Sequence, residues 1–239
     1  MFRQAIKYQI RCRLIRNAIY KDCAVCVFQT EDIMNWYPEK IRNKGVIILN
    51  LLKSDLPYPY VGEREHIVTN FCGFKVQKNI PLLIKAFAIF HQTHPDWKLR
   101  IYGSGDKSHF EELIDEFGIR ECAEILPFSY DIHNEILKYG MFVSSSDFEG
   151  ISNSMLEAMA IGLPTISTDC DGGGARTTIK DHVNGIIVPK GDEMAMAKAM
   201  AEIADNNTLA HFLAQNSIRI REDLNIDTIV ERWVDIIEK

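Results

Sequence analysis

The chain has 239 residues, 46% of them hydrophobic and 25% charged, a composition that fits one full globular domain plus a smaller piece. Its net charge of −6 argues against a general polyanion-binding surface, and therefore against nucleic acid as a partner. No apolar run reaches the roughly 18 residues that a membrane-spanning helix needs, which indicates a cytoplasmic protein.

The N-terminal stretch differs in charge from the rest of the chain. Residues 1–22 contain six basic side chains and one acidic side chain, with the arginines placed among isoleucine, leucine and tyrosine. This pattern is compatible with a peripheral contact at the inner, anionic face of a membrane. A helix that belongs to a contact between domains explains the same pattern equally well.

The six cysteines are scattered, which favours free thiols over a disulfide framework. Cys23 and Cys26 form a single C-x-x-C without a second pair or flanking histidines, which is weak support for zinc. Asp169 and Asp171 form a D-x-D, and His91 and His94 form an H-x-x-H that lacks a third ligand nearby in the sequence. We expect no metal site.

Residues 24–50 predict one βαβ piece: a strand over 24–30, a helix over 31–45 and a strand over 46–50. One such piece cannot bury both faces of its own sheet, so it must dock on another surface. A proline-containing linker follows. We therefore interpret residues 1–60 as the remnant of a preceding domain and its linker.

From residue 61 to 239 short β-rich runs alternate with amphipathic helical stretches, which predicts parallel βαβ units and an open, Rossmann-like α/β sheet flanked by helices. The predicted strands are 66–72, 97–103, 123–128, 141–146, 164–169 and 185–189. Helices are predicted between most strands, and three helices are predicted to close the chain from about 192 to 237. Ligands of such sheets bind outside the carboxyl ends of the strands, so the loops there are the candidate site.

Two of these loops have the features of an anion site. Lys78 precedes Asn79, a good N-cap at the start of a helix, and a helix start with a neighbouring lysine attracts phosphate. In the second loop Gly150 allows a sharp turn and Ser152 is predicted to cap the next helix, which runs to Ile161. The N–H groups at that helix start would form a second phosphate cradle.

Two carboxylates flank the second loop. Glu157 lies on the same helix face as Asn153 and Ser154, where it can accept hydrogen bonds from the ribose hydroxyls of a ligand whose phosphates sit at the helix start. Glu149 lies before the turn, nearer a sugar. The alternative from spacing alone is that Glu149 favours the helix dipole and Glu157 is an exposed helix residue.

Residues 146–169, SDFEGISNSMLEAMAIGLPTISTD, resemble the signature of the retaining glycosyltransferases of the GT-B fold, family 4. Four further blocks resemble this family in the same order: QKNIPLLIKAF, LRIYGSGD, ILPF and GGGARTTIKDHVNGIIVP. The resemblance covers residues 20–239 and implies two Rossmann-like domains, with the nucleotide sugar bound mainly by the second. Residues 1–60 would then be the remnant of the N-terminal, acceptor-binding domain.

The resemblance also implies roles for individual residues. The catalytic residues would be Glu149, which would hold the donor sugar, and Lys78, which would neutralise the diphosphate leaving group. Glu157 would hold the ribose. The remaining donor-binding positions would be the helix start at Gly150, Ile151, Ser152, Asn153 and Ser154, the turn from Gly103 to Gly105, and Pro127 and Phe128 at the base.

One position departs from the family pattern. Members usually have Gly-Arg five residues before the lysine, and here that place holds Cys72 and Gly73. The loss of a guanidinium removes a bidentate phosphate contact. Lys75 is the nearby candidate to replace it.

The prediction is a hexosyltransferase that moves a sugar from a nucleotide diphosphate sugar to a glycan or lipid-linked acceptor with retention, in surface polysaccharide assembly, with no external cofactor. Because most of the acceptor domain is missing, we expect weak transfer by the chain alone. The alternatives are the donor-binding subunit of a split transferase, which needs a separate acceptor-domain subunit, and a sugar-nucleotide epimerase.

Overall fold

The computed structural model describes residues 14–238, so the basic residues before Leu14 lie outside the described part of the chain. The N-terminal piece contains a small parallel sheet of two strands and three short helices. Its elements are α1 (described over 14–20), β1 (Cys26–Phe28), α2 (Glu31–Asn35), α3 (Glu39–Arg42) and β2 (Gly45–Ile47).

The prediction of a single helix over 31–45 is wrong, because this segment forms two helices, α2 and α3. Thr30 caps α2 by accepting a hydrogen bond from the Ile33 N–H at 3.1 Å. Pro38 then begins the second helix, where its missing N–H costs nothing, and a proline in the interior of one long helix would have removed a backbone hydrogen bond.

The larger part of the chain forms a six-stranded sheet in which every neighbouring pair is parallel. Its strands are β3 (Glu65–Gly73), β4 (Lys98–Ser104), β5 (Ala123–Pro127), β6 (Tyr139–Ser144), β7 (Thr165–Asp169) and β8 (Ile186–Pro189). They lie in the spatial order β5-β4-β3-β6-β7-β8. The prediction of a Rossmann-like parallel sheet flanked by helices is confirmed.

Nine helices accompany this sheet within the described residues. They are α4 (Ile80–His91), α5 (Ser108–Glu116), α6 (Ile132–Ile136), α7 (Asn153–Ala160), α8 (Gly174–Thr178), α9 (Glu193–Asp205), α10 (Asn207–Ser217), α11 (Ile220–Asp223) and α12 (Ile226–Ile237), of which α11 is a single turn. The chain thus closes with four helices rather than the three predicted. None of the helices over residues 14–238 is long and apolar enough to cross a bilayer.

Both faces of the sheet are covered by apolar side chains. Val68 packs with residues of α4 and α9 on one face, and its neighbour Ile67 packs with residues of α6, α7 and α11 on the other. Successive strand residues point to opposite faces, and a parallel strand covered on both sides is therefore apolar along its length. The boundary near residue 60 between the two parts stays a prediction.

Candidate functional site

The centre of the sheet creates a crevice at the carboxyl ends of its strands. β3 and β6 are neighbours, and the chain proceeds from β3 towards β4 and β5 on one side and from β6 towards β7 and β8 on the other. The loops that follow β3 and β6 therefore leave the sheet in different directions at a topological switch point, where ligands of open α/β sheets bind.

Hydrogen bonds join these two loops. The Asp147 N–H donates to the Gln77 carbonyl at 2.8 Å, and the Ser145 hydroxyl donates to the Lys78 carbonyl at 2.9 Å. Asn79 Nδ2 donates to Asp147 Oδ1 at 2.9 Å. The loop that contains Lys78 is consequently fixed against the loop that leads to Glu149.

Asn79 begins α4 as the sequence predicts. Its backbone is left-handed, with φ of 44°, a conformation that asparagine tolerates better than most residues. Its side chain accepts a hydrogen bond from the Leu82 N–H at 3.3 Å. The turn places Lys78 at the mouth of the crevice, immediately before a helix start.

Lys78 and Glu149 form an ion pair across the crevice. Lys78 Nζ contacts Glu149 Oε2, and the two side chains are 17% and 21% exposed. An ammonium has three donors, so one bond to Glu149 leaves two for another acceptor. The structure thus brings together both residues predicted to be catalytic.

Two thiols lie close to this pair. Burial raises the pKa of Cys72 to about 11, with opposing smaller effects from Lys78 and Glu149. Burial also raises the pKa of Cys170 to about 11, and the charge of Glu149 adds to it. Both thiols therefore stay neutral near pH 7.

The start of α7 differs from its prediction. Ser152 occupies the N-cap position, but its side chain makes no capping hydrogen bond. Its hydroxyl instead lies 3.1 Å from the Ser154 hydroxyl. The predicted capping role of Ser152 is therefore wrong. Its side chain accepts no hydrogen bond from the N–H groups at this helix start.

The N-terminal piece reaches this helix start. Asn50 Nδ2 donates to Asn153 Oδ1 at 2.7 Å, and Gln29 Nε2 donates to Asn50 Oδ1 at 2.6 Å. A Cβ at Gly150 would lie 2.7 Å from Gln29 Oε1. Residues of the predicted remnant therefore form one wall of the crevice.

Glu157 is not the exposed helix residue of the alternative interpretation. Its side chain is 21% exposed and its Oε2 lies 2.9 Å from Nε2 of His133 on α6. His133 is a site residue that the sequence alone does not reveal. Its partner is 24 residues away, and no local pattern signals such a contact.

The outer end of the crevice is aromatic. Phe128, directly after β5, is 58% exposed, and Tyr130 is 92% exposed. Their ring centroids are 5.0 Å apart at an interplanar angle of 86°. Pro127 ends β5 beside Gly103 on β4. Tyr130 was not predicted, although its position two residues after Phe128 in the same loop is a usable signal.

The glycines predicted to contact the donor differ in the space that a side chain would have. A Cβ at Gly103 would overlap the Cys72 carbonyl oxygen, and Gly105 has a positive φ of 129° with Phe74 beside it. A Cβ at Gly73 would meet no heavy atom within 4 Å, and Lys75 is exposed. Gly73 therefore has room for a side chain at the place where the family pattern has arginine.

The acidic and histidine motifs have other partners. Asp169 pairs with Arg176, and Asp171 pairs with Lys190 at 2.7 Å. His94 Nε2 lies 3.1 Å from Asp205. Within residues 14–238 no group of three or more histidine, cysteine, aspartate or glutamate side chains is placed to hold a metal ion.

Comparison with known proteins gives a family. The sequence profile of the family Glycosyl transferases group 1 matches residues 63–219. An uncharacterized glycosyltransferase of Haemophilus influenzae is 24% identical over 217 residues, which are 90% of this chain and 61% of that protein. The amylovoran biosynthesis glycosyltransferase AmsD of Erwinia amylovora is 31% identical over 67% of this chain and 45% of its own length.

A solved structure shows the same fold. HepE of Anabaena, in complex with UDP and glucose, matches with a TM-score of 0.84 and 18% identity, covering 96% of this chain and 67% of that one. The chain spans less than two thirds of the length of the Haemophilus influenzae protein and of AmsD.

Proposed function

Because the chain belongs to the glycosyl transferases group 1 family, we propose that it binds a nucleotide diphosphate sugar and transfers its hexose, with retention, to a glycan or lipid-linked acceptor. The observation that carries this proposal is the meeting of Lys78 and Glu149 beside the start of α7. The UDP and glucose bound to HepE support a UDP-sugar as donor. The name of AmsD supports a role in polysaccharide biosynthesis.

The diphosphate would lie between Lys78 and the α7 start. As the bond between the sugar and the diphosphate breaks, negative charge grows on the departing phosphate oxygen. In this proposal the two remaining donors of Lys78, with the N–H groups of residues 151–154, would stabilise this charge as it develops. The positive end of the α7 dipole acts in the same direction.

The rest of the donor would extend along both arms of the crevice. Glu149 keeps an oxygen that can accept hydrogen bonds from hydroxyls of the sugar, while its other oxygen holds Lys78 in position. Glu157 would accept hydrogen bonds from the ribose, and Phe128 with Tyr130 would contact the base. Because an ammonium and backbone N–H groups neutralise the diphosphate, we propose that donor binding needs no metal or external cofactor.

We propose that the acceptor is held mainly outside the donor crevice, for example by a separate acceptor-domain subunit. The crevice wall formed by Gln29 and Asn50 is the side on which an acceptor would enter. We accordingly expect slow transfer by the 239-residue chain alone. The family match favours a transferase over an epimerase, and incubation with a UDP-sugar without acceptor, followed by chromatography of the sugars, separates the two.

Calorimetry tests the donor site. We expect the chain to bind UDP and UDP-glucose equally well with EDTA or with magnesium. Lys78→Met should weaken UDP binding at least tenfold, since a hydrogen bond to a charged group contributes about 1.5–3 kcal/mol. Lys85→Met, which removes an exposed lysine further along α4, is the matched control and should leave the affinity unchanged. Absence of nucleotide binding, or equal losses in both variants, contradicts the proposal.

A further inference from the structure

His133 and Glu157 form a largely buried pair beside the crevice. Their side chains are 10% and 21% exposed, and Nε2 of His133 lies 2.9 Å from Oε2 of Glu157. The two residues come from different loops of the sheet, since α6 follows β5 and α7 follows β6. Phe71, near the carboxyl end of β3, packs edge-on against the imidazole with centroids 5.8 Å apart. The histidine ring is thus fixed from two sides.

The direction of the hydrogen bond follows from the chemistry of the partners. A carboxylate accepts hydrogen bonds, so the tautomer of His133 that satisfies this contact is the one with its proton on Nε2. The bond engages one oxygen of Glu157. Among residues 14–238 the carboxylate has no second hydrogen-bond partner, and its Oε1 is not one of the buried polar atoms without a partner. One oxygen is therefore anchored and the other is accessible to a ligand.

Anchoring changes what Glu157 can do. A free glutamate side chain samples many rotamers and loses this freedom when it binds a ligand. A carboxylate that is already held by His133 has lost that freedom before the ligand arrives, so its accepting oxygen points in one direction. Such preorganisation benefits only the ligand groups that touch Glu157.

We propose that His133 is a positioning residue that holds the Glu157 carboxylate and thereby sets the preference of the site for a ribonucleoside diphosphate over its 2′-deoxy analogue. This inference rests on the proposed function, in which Glu157 accepts hydrogen bonds from the ribose. His133 itself makes no contact with the nucleotide in this proposal. Its effect is confined to the sugar hydroxyls of the nucleotide and does not extend to the diphosphate.

The test compares the affinities of UDP with 2′-deoxy-UDP and of GDP with 2′-deoxy-GDP by calorimetry, using the pair that binds more tightly. The unmodified chain should prefer the ribose form about tenfold, because one hydrogen bond to a carboxylate is lost in the deoxy form. His133→Leu, which keeps apolar volume but has no donor, should reduce this preference to within about twofold, because it weakens the ribose form by a larger factor than the deoxy form, which offers Glu157 only its 3′-hydroxyl. His133→Gln keeps an N–H donor at similar reach and should retain most of the preference.

A double-mutant cycle completes the test. In the Glu157→Gln chain, a further His133→Leu change should not alter the remaining preference, because the positioned group is already gone. If circular dichroism shows that the His133→Leu chain does not fold, His133→Asn replaces it, because the asparagine amide is too short to reach Glu157. A purely structural role predicts that His133→Leu weakens ribose and deoxy forms by the same factor, which overturns the inference while leaving donor binding intact. Binding of neither UDP nor GDP by the unmodified chain overturns the proposed function as well.

Discussion

At the scale of single residues, the site depends on Lys78 and Glu149, which are 71 positions apart in the sequence and touch in the structure. Neither charge is fully exposed, so each reduces the cost of partly burying the other. Asn79 and Asp147 hold the two loops together directly behind this pair. The residues with chemical roles are thus supported by residues whose role is to fix a loop.

Gly73 gives the first prediction at this scale. Gly73→Arg should strengthen UDP binding by about three- to tenfold, because the position is open and a guanidinium there would add a charged contact to the diphosphate. Calorimetry with UDP and with uridine measures the effect, and uridine affinity should not change. Gly73→Gln, of similar length and without charge, is the control. An equal gain from glutamine, or a gain for uridine, contradicts a phosphate contact.

Lys75 gives a second prediction. If its exposed ammonium replaces the missing arginine, Lys75→Ala should weaken UDP binding several-fold in the unmodified chain. The same change in the Gly73→Arg chain should have a smaller effect, because the guanidinium then occupies the contact. Calorimetry of the four chains measures both effects. Unchanged UDP affinity after Lys75→Ala shows that Lys75 has no such role.

The thiols beside the site give a prediction of pH dependence. Burial raises the pKa of Cys72 and of Cys170 to about 11. Only the thiolate reacts with iodoacetamide, and a raised pKa delays its formation to higher pH. Labelling followed by mass spectrometry should show rates at both cysteines that increase about tenfold between pH 9 and pH 10, because the thiolate fraction is still small there. An increase of less than about twofold at Cys72 over this range, assigned with the Cys72→Ser chain as control, contradicts the burial effect.

At the scale of elements, α7 is the helix on which the site depends, and its carboxyl end is firmly held. Arg64 donates to the carbonyls of Tyr139 at 3.0 Å and Gly162 at 2.5 Å. Arg221 donates to the Ala160 carbonyl at 3.0 Å. Two cations at this end also complement the helix dipole. The opposite end of α7 is left to face the crevice.

Removal of one of these arginines should be costly. Burial lowers the pKa of Arg64 to about 10, so it remains charged near neutral pH. We expect Arg64→Met to lower the free energy of unfolding by about 2–4 kcal/mol, because it leaves buried carbonyls without donors. Urea unfolding measures this loss. Arg120→Met, which breaks an exposed pair with Asp115, should leave the free energy of unfolding nearly unchanged. Similar costs for both variants contradict the anchoring role of Arg64.

Sequence patterns located the elements well because the patterns are local. The apolar runs that predict β3, β4 and β8 lie within one residue of the strands, and the Asn79 cap is present. β6 begins two residues before its prediction, since Tyr139 and Gly140 interrupt a simple apolar run yet are buried in the sheet. The prediction of one helix over 31–45 is wrong because Pro38 has no N–H to donate inside a helix and instead stands at the start of α3.

The candidate site is only partly predictable from the sequence, because some of its contacts join distant segments through their side chains. The loops at the strand ends follow from topology, and so does the meeting of Lys78 with the region of Glu149. The His133–Glu157 pair and the hydrogen bonds from Gln29 and Asn50 join segments through side-chain directions that no periodicity encodes. The Ser152 hydroxyl does not cap α7 because it has a competing partner in the Ser154 hydroxyl.

At the scale of the whole molecule, the N-terminal piece is docked on the crevice side of the large sheet. The buried Thr30 hydroxyl donates to the Gly172 carbonyl at 2.5 Å, and Asp32 pairs with Arg176. Trp36 lies against Phe148 with ring centroids 5.3 Å apart. A two-stranded sheet alone is marginal in water, so this docking is what stabilises it.

Thr30 allows a test of this docking. Thr30→Val removes both the cap of α2 and the bond to Gly172, and it should lower the free energy of unfolding by about 2 kcal/mol. Thr30→Ser keeps the hydroxyl and should cost less than half as much. In urea, the Thr30→Val and Thr30→Ser chains should each unfold in one transition, with the same midpoint by tryptophan fluorescence and by circular dichroism. A separate early transition in fluorescence shows that the N-terminal piece is not held by the sheet.

The most direct measurement for the central claim is a crystal structure of the chain with UDP. We expect the diphosphate to lie within hydrogen-bond distance of Lys78 Nζ and of N–H groups at residues 151–154, and the ribose hydroxyls to contact Glu157. A nucleotide bound away from the carboxyl ends of β3 and β6, with these groups untouched, would contradict it.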